Sequence, residues 1–261
     1  VKKGKGSPDV IGLIPAAGYS RRISPVPCSK EIYPVGFFRN STGDDRPKAV
    51  CLYLIESMRQ AGITKIVIVI RKGKFDIPAY LGDGRHFGVE LAYRVMEDSP
   101  SPSHALDHAY PFVKDTTVAF GFPDIIFHAP GAFARLLSGY WENGADVALG
   151  VFRIKKAIRD DRVVLDRKGW VKKFAVSSSG ARDPHTWTIA VWGPRFTRFM
   201  HDFLQGDSGK FELTMGHVLE PAFQKGLRMW GILFSKGSYL DIGTPESLVQ
   251  AVRRYSKNEI E

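Results

Sequence analysis

The feature that most constrains this chain is a recurrence of short apolar runs. "VIGLIP" (Val10 to Pro15), "KIVIVI" (Lys65 to Ile70), "TTVAFGF" (Thr116 to Phe122) and "ADVALGVF" (Ala145 to Phe152) return along its first 152 residues. None alternates polar with apolar, so each reads as a strand covered on both faces. Between the first two lies "PKAVCLYLIESMRQAG" (Pro47 to Gly62), where a leading proline, a broad apolar face and a closing glycine punctuate a helix. Strand, helix and strand in that order imply a right-handed crossover between parallel neighbours. "VELAYRV" (Val89 to Val95) adds a strand, "HALDHAYPF" a short helical segment, and "GAFARLLSGYWENG" (Gly131 to Gly144) a further helix.

After Phe152 the texture changes. "RVVLDRKGWVKKFAV" (Arg162 to Val176) reads as two runs folded around Asp166-Arg167-Lys168-Gly169, a hairpin signal. "TWTIAVW" and "RMWGILF" read as strands, and "TRFMHDFL" and "ELTMGHVLEPAFQKG" as helices. "TPESLVQAVRRYSK" closes the chain with Thr244 as N-cap and Pro245 at the first helical position. The expectation is a single α/β domain over residues 1–261, with a half at about 10–152 built of alternating strands and helices and a β-rich half at about 153–261.

Lys and Arg outnumber Asp and Glu by 37 to 27, a formal charge of +10 that favours polyanionic ligands. The basic residues are scattered and not interleaved with aromatics, which argues against nucleic acid as the partner. Cys28 and Cys51 stand far apart without zinc-ligand spacing and are expected as free thiols of a reducing, cytoplasmic compartment. "VKKGKGSPD" has no apolar stretch after its lysines, and no run is long enough to span a bilayer, so neither a secretory signal nor a membrane partner is expected.

In open α/β sheets ligands sit beyond the carboxyl ends of the parallel strands, which makes the turn after Pro15 the first place to look. Ala16, Ala17 and Gly18 have little or no side chain, so their backbone N–H groups can approach phosphate oxygens. Arg22 and Lys30 would add charge-assisted bonds to a polyphosphate. On the residues alone, a tight turn in a basic surface loop explains this stretch equally well.

The whole segment "GLIPAAGYSRRISPVPCSKEIYPVG" resembles the signature of sugar-1-phosphate nucleotidylyltransferases of the glucose-1-phosphate thymidylyltransferase type. There a strand leads into Ala-Gly-Gly-x-Gly-Thr-Arg-Leu, followed by proline, lysine and Pro-Val. Arg22 falls on the signature arginine, Pro25 on its proline, and Lys30 on the lysine ahead of Pro34-Val35. "AFGFPDIIF" resembles the strand end that carries a magnesium-binding aspartate, which assigns that role to Asp124. "GSYLDIGTPESLVQA" resembles the Leu-Asp-x-Gly-Thr-Pro-Glu element, whose aspartate is a second metal ligand, here Asp241. "LDHAYPF" resembles the Leu-x-Gln-Ala segment near the nucleobase, with His108 replacing glutamine.

The resemblance runs from about Val10 to about Val252. It implies a Rossmann-like three-layer α/β/α fold of the nucleotide-diphospho-sugar transferase type, with a mixed, mostly parallel central sheet. It implies Mg²⁺ as cofactor, a nucleoside triphosphate and a sugar 1-phosphate as substrates, NDP-sugar and pyrophosphate as products, and, as in many relatives, a homo-oligomer.

The pattern also breaks. Ser20 and Arg21 stand where the family has a second glycine and threonine. After "GWVKKF" the family places Glu-Lys-Pro, glutamate on the sugar and lysine on its phosphate, where this chain reads Ala175-Val176-Ser177-Ser178-Ser179. Trp187 and Thr188 fall at the sugar side, with Thr188 in place of a glycine. Two readings follow: an active nucleotidylyltransferase in which Lys172, Lys173 or Arg182 supplies the missing cation, or a nucleotide-binding regulatory or scaffold relative without catalysis. A dinucleotide-binding oxidoreductase is disfavoured because Gly18 lacks the further glycines of G-x-G-x-x-G. The base is open among UTP, dTTP and CTP, as is the acceptor.

Overall fold

The computed structural model describes residues 9–40, 42–154, 161–176, 184–207 and 213–255. Its strands are β1 (Val10–Pro15), β2 (Pro34–Arg39), β3 (Asp45–Ala49), β4 (Lys65–Arg71), β5 (Glu90–Met96), β6 (Thr117–Gly121), β7 (Ile125–His128), β8 (Val147–Arg153), β9 (Arg162–Leu165), β10 (Val171–Ala175), β11 (His185–Trp192), β12 (Met229–Leu233) and β13 (Ser238–Asp241). The helices are α1 (Val50–Gln60), α2 (Asp76–Leu81), α3 (Pro102–Asp107), α4 (Tyr110–Val113), α5 (Ala132–Asn143), α6 (Pro194–Gln205), α7 (Met215–Gln224) and α8 (Pro245–Tyr255).

Seven strands form one sheet in the order β12-β8-β11-β6-β1-β4-β5. β1 runs parallel to β4 and β6, β4 to β5, and β8 to β12, while β11 lies antiparallel between β6 and β8. Strands from both halves of the chain therefore interleave in a single mixed, mostly parallel sheet. Its central members are mostly apolar because both faces are covered: all five residues of β6 are buried.

Consecutive side chains of these strands go to opposite layers. Leu13, Val118, Phe120, Leu149 and Trp192 pack beneath α3, α6 and α7, which contribute Leu106, Phe196 and Val218. Ile14, Ala119, Ala148 and Val191 pack against α1 and α5 through Leu54, Ile55, Phe133 and Leu136. The result is the expected three-layer α/β/α arrangement. No helix among the described residues is long and apolar enough to cross a membrane.

Three departures from the sequence expectations matter for the site. The helix expected from Pro47 begins at Val50, because Asp45–Ala49 pairs with Pro34–Arg39 as a small ribbon in which Phe37 faces Pro47. A two-stranded ribbon tolerates proline, which has no ladder donor to lose there. "HALDHAYPF" divides into α3 and α4, with Pro111 in the first turn of α4. β7 and β13, not anticipated as strands, pair antiparallel with Asp241 opposite Ile125. The hairpin β9–β10 and the Thr244 cap are present: the Ser247 N–H donates to Thr244 Oγ1 at 3.3 Å.

Candidate active site

A cleft of about 700 Å³ opens at the carboxyl ends of β1, β5 and β6. One wall is the segment after β1, from Ala17 to Ile23. The Ala16 N–H donates to Val69 O at 2.7 Å, which ties the strand end to β4 and takes that donor away from any ligand. Ala16 itself is buried in the core and does not line the cleft. At Gly18 a Cβ would meet nothing within 4 Å, so its backbone fronts open space. Ser20 adopts φ +57°, the left-handed region where glycine moves freely and a serine costs roughly 1–2 kcal/mol.

The short ribbon β7–β13 forms the opposite wall. Asp124 immediately precedes β7, Asp241 ends β13, and the Ile242 N–H donates to Asp124 O at 3.0 Å, so the two carboxylates are placed together from positions 117 residues apart. The Lys30 Nζ lies 2.5 Å from Asp124 Oδ2, both side chains being largely buried. Arg22 Nη2 stands 3.8 Å from Asp241 Oδ2 in a more exposed pair. The Gly243 N–H donates to Asp241 Oδ1 at 2.7 Å; a Cβ on Gly243 would come within 2.5 Å of Arg22 Nη2, so only glycine lets the guanidinium lie there.

The electrostatics follow from this crowding. Burial alone would pull the Lys30 ammonium down, but Asp124, Glu31 and Asp241 together more than reverse it, and Lys30 is raised to about 12. Burial would raise Asp124; the charge and hydrogen bond of Lys30, with Arg22, hold its carboxyl below the usual range. Asp241 goes the other way, raised by burial and then by the negative charge of Asp124. Two neighbouring carboxylates bordering one cleft form an oxygen donor pair of the kind a hard divalent cation accepts. Among the described residues no cluster of three His, Cys, Asp or Glu forms a complete metal cage. Asp124 and Asp241 are the residues that could hold a cation such as Mg²⁺, which takes one or two carboxylates and completes its sphere with phosphate oxygens and water.

The remaining wall is β11 and its neighbours. The register of β11 against β8 slips between Trp187 and Ile189, so Thr188 is the extra residue of a bulge, a device that re-aims side chains beside sites. Trp187 Nε1 and Thr188 Oγ1 are buried without a hydrogen-bond partner among the described residues, and both residues line the cleft with Asp161, Thr186 and Thr214.

Arg22, Lys30, Ala17, Gly18, Asp124, Asp241, Trp187 and Thr188 therefore converge on one cleft. His108 does not: it ends α3 with Nε2 3.2 Å from Val95 O, outside the lining. The helix turns it outward, and Ser99, Pro100 and Ser101 border the cleft on that side instead. Neither Lys172, which lies 3.6 Å from Asp166, nor Lys173 lines the cleft. Ser177 to Ser179 and Arg182 lie outside the described residues.

Sequence reasoning missed Glu31 and Lys74, a buried ion pair at 2.6 Å of which Glu31 borders the cleft, and Asp76, which accepts from the Ser29 N–H at 2.6 Å and from Ser29 Oγ at 2.7 Å. The only signal was "KGKFD" directly after the run of β4.

A sequence model of the family described as Nucleotidyl transferase matches residues 11–258. The low-salt glycan biosynthesis nucleotidyltransferase Agl11 of Haloferax volcanii is 32% identical over 107 residues, 40% of this chain and 27% of that relative. The glucose-1-phosphate thymidylyltransferase of Mycolicibacterium smegmatis is 30% identical over 125 residues, 46% of this chain and 39% of that relative. The matches thus span less than half of either relative's own length. Among solved structures, a UDP-glucose pyrophosphorylase complexed with UDP-glucose shares the fold, with a TM-score of 0.79 at 17% identity over 95% of this chain and 99% of that one.

Proposed function

The chain belongs to the nucleotidyl transferase family, and on that premise we propose that it transfers a nucleotidyl group from an NTP to a sugar 1-phosphate, releasing pyrophosphate. The observation that carries this reading is the meeting of Arg22, Lys30, Asp124 and Asp241 in the strand-end cleft beside Ala17 and Gly18. A phosphate oxygen of the acceptor bonds to the α-phosphorus while the bond from that phosphorus to the bridging oxygen breaks, and the electron pair leaves with pyrophosphate. The attacking phosphomonoester has a second pKa of about 6 and is already largely dianionic near neutrality, so no protein base is needed.

The protein's task is positioning and charge neutralisation. The N–H groups that follow Ala16 face the phosphates, and Arg22 binds them from the exposed side. Lys30, cationic at any working pH, moves its ammonium from Asp124 onto phosphate oxygen as the triphosphate enters. Asp124 and Asp241 would hold Mg²⁺, which when bound supplies Lewis-acid neutralisation of phosphate charge. Trp187 Nε1 and Thr188 Oγ1, without partners among the described residues, serve hydroxyls of the acceptor. The intact set of two carboxylates and two cations favours an active enzyme over a scaffold relative, since a chain that had lost catalysis would be expected to lose these residues too.

The test is a pyrophosphate-release screen of NTPs against sugar 1-phosphates, with and without Mg²⁺, beside nucleotide-binding calorimetry. Turnover with a defined pair is expected, and its loss in Asp124→Asn and in Asp241→Asn with unchanged circular dichroism. Nucleotide binding without turnover across the panel would make the chain a binding module. Normal activity in either variant would remove the metal assignment.

A further inference from the structure

We propose that Lys74 is a positioning residue that aims the phosphate-facing turn, a role that rests on reading the cleft as an NTP site. Lys74 lies in the turn between β4 and α2 and is 3% exposed; its partner Glu31 is 2% exposed. Lys74 does not line the cleft and so does not touch substrate. Its Nζ lies 2.6 Å from Glu31 Oε2 and donates a second bond to Gly18 O at 3.2 Å.

The second bond determines the direction of a donor. In a trans peptide the C=O and the N–H point opposite ways. Holding the Gly18 carbonyl back on Lys74 turns the Tyr19 N–H of the same peptide plane away from Lys74 and toward the cleft that Gly18 and Tyr19 line. Among the described residues nothing accepts from that N–H. Lys74 thus spends its charge inside the protein so that a backbone donor stays free for an anion.

The same turn also holds the far end of the loop. Asp76 accepts from both the N–H and the hydroxyl of Ser29, one residue before Lys30, and Glu31 holds Lys74 from the residue after it. Residues 74 and 76 therefore clamp both the Gly18 and the Lys30 ends of the segment that carries Arg22. Fold stability gives no reason for charges here, because an apolar pair of similar volume would fill the space at equal or better stability. Gly18 O, however, needs a donor behind it.

Three forms of the protein test this: wild type, Glu31→Gln, which leaves the Lys74 amine on Gly18 O, and the double variant Lys74→Met with Glu31→Gln, which removes that donor without stranding a charge. The readouts are hydrogen exchange of the segment spanning residues 17–23 without ligand, calorimetric affinity for Mg²⁺-NTP, and KM against kcat. Glu31→Gln is expected to stay close to wild type in exchange, and because Glu31 itself borders the cleft, its NTP affinity is the reference for the double variant. The double variant should exchange faster in that segment and bind NTP at least about tenfold more weakly than Glu31→Gln, the weight of one hydrogen bond to a charged group. Exchange of the central sheet should be unchanged. Wild-type exchange and affinity in the double variant, or equal losses in both variants, would overturn the positioning role. If the double variant does not fold, Lys74→Leu with Glu31→Leu carries the same comparison. If the wild type binds no NTP, the reading of the cleft fails while the exchange measurement still decides whether Lys74 orders the turn.

Discussion

Lys74→Met alone should make the protein's stability depend steeply on pH. The substitution keeps the volume of the lysine stem and removes the ammonium from a carboxylate that is 2% exposed. Stranding one partner of a buried ion pair costs about 3–5 kcal/mol. Lys30 also faces Glu31 and retains part of the stabilisation, which points to the lower end, about 3 kcal/mol. For a chain of this size about 2 °C accompanies each kcal/mol, so the melting temperature should fall by about 6 °C at pH 8.

The sign with pH follows from Glu31. Burial already raises its carboxyl above the ordinary value, against the opposing pull of Lys74 and then Lys30. Without Lys74 the folded-state pKa rises further, while the unfolded value stays near about 4.3. The native state then takes up a proton before the unfolded state does, and stability is gained as pH falls toward the unfolded pKa. The deficit relative to wild type should therefore be full at pH 8 and clearly smaller at pH 5, in melts followed by circular dichroism. Adding Glu31→Gln should remove most of the deficit at both pH values. An equal deficit at pH 8 and pH 5, or a double variant as unstable as the single one, would refute the buried-charge account.

Other expected outcomes follow from single contacts. Arg22→Ala should leave the melting temperature nearly unchanged, because its 3.8 Å pair with Asp241 is exposed, and should lower kcat/KM by about 10²-fold in the pyrophosphate assay; an unchanged kcat/KM would return Arg22 to the surface-loop reading. Gly121→Ala puts a Cβ 2.4 Å from Leu54 Cδ1 in the core and should cost about 1–3 kcal/mol by denaturant unfolding, a loss that Leu54→Ala relieves in a double-mutant cycle; strict additivity would show the contact to be absent. Burial raises the Cys51 thiol, and burial with Asp76 and Glu31 raises Cys28, so in the native protein a thiol reagent at pH 8 should modify Cys28 slowly and Cys51 only after denaturation; rapid labelling of Cys51 would contradict its burial.

Much of the architecture was legible because its signals are local. "VIGLIP", "KIVIVI", "TTVAFGF" and "ADVALGVF" became β1, β4, β6 and β8, since a strand covered on both faces needs an unbroken apolar run and few other structures do. The hairpin at Asp166 to Gly169 and the cap at Thr244 were readable from turn and cap chemistry. The illegible parts are short or two-sided. β7 and β13, four residues each, carry no periodicity to set them apart from loop. Pro47 looked like a helix start and is a ribbon residue, because only the pairing partner Phe37 distinguishes the two.

The site divides along the same line. The family resemblance carried by the segments around Ala17, Gly18, Arg22, Lys30, Asp124 and Asp241 implied which side chains could share one chemistry, and their types suit phosphate and a hard cation. The tertiary structure alone decided which backbone donors are free. Ala16 spends its N–H on Val69, Lys74 takes the Gly18 carbonyl, and His108 turns outward at the end of α3. Hydrogen bonds and buried charges pair groups by distance in space, and a separation of 43 residues between Glu31 and Lys74 leaves no periodic mark in the chain.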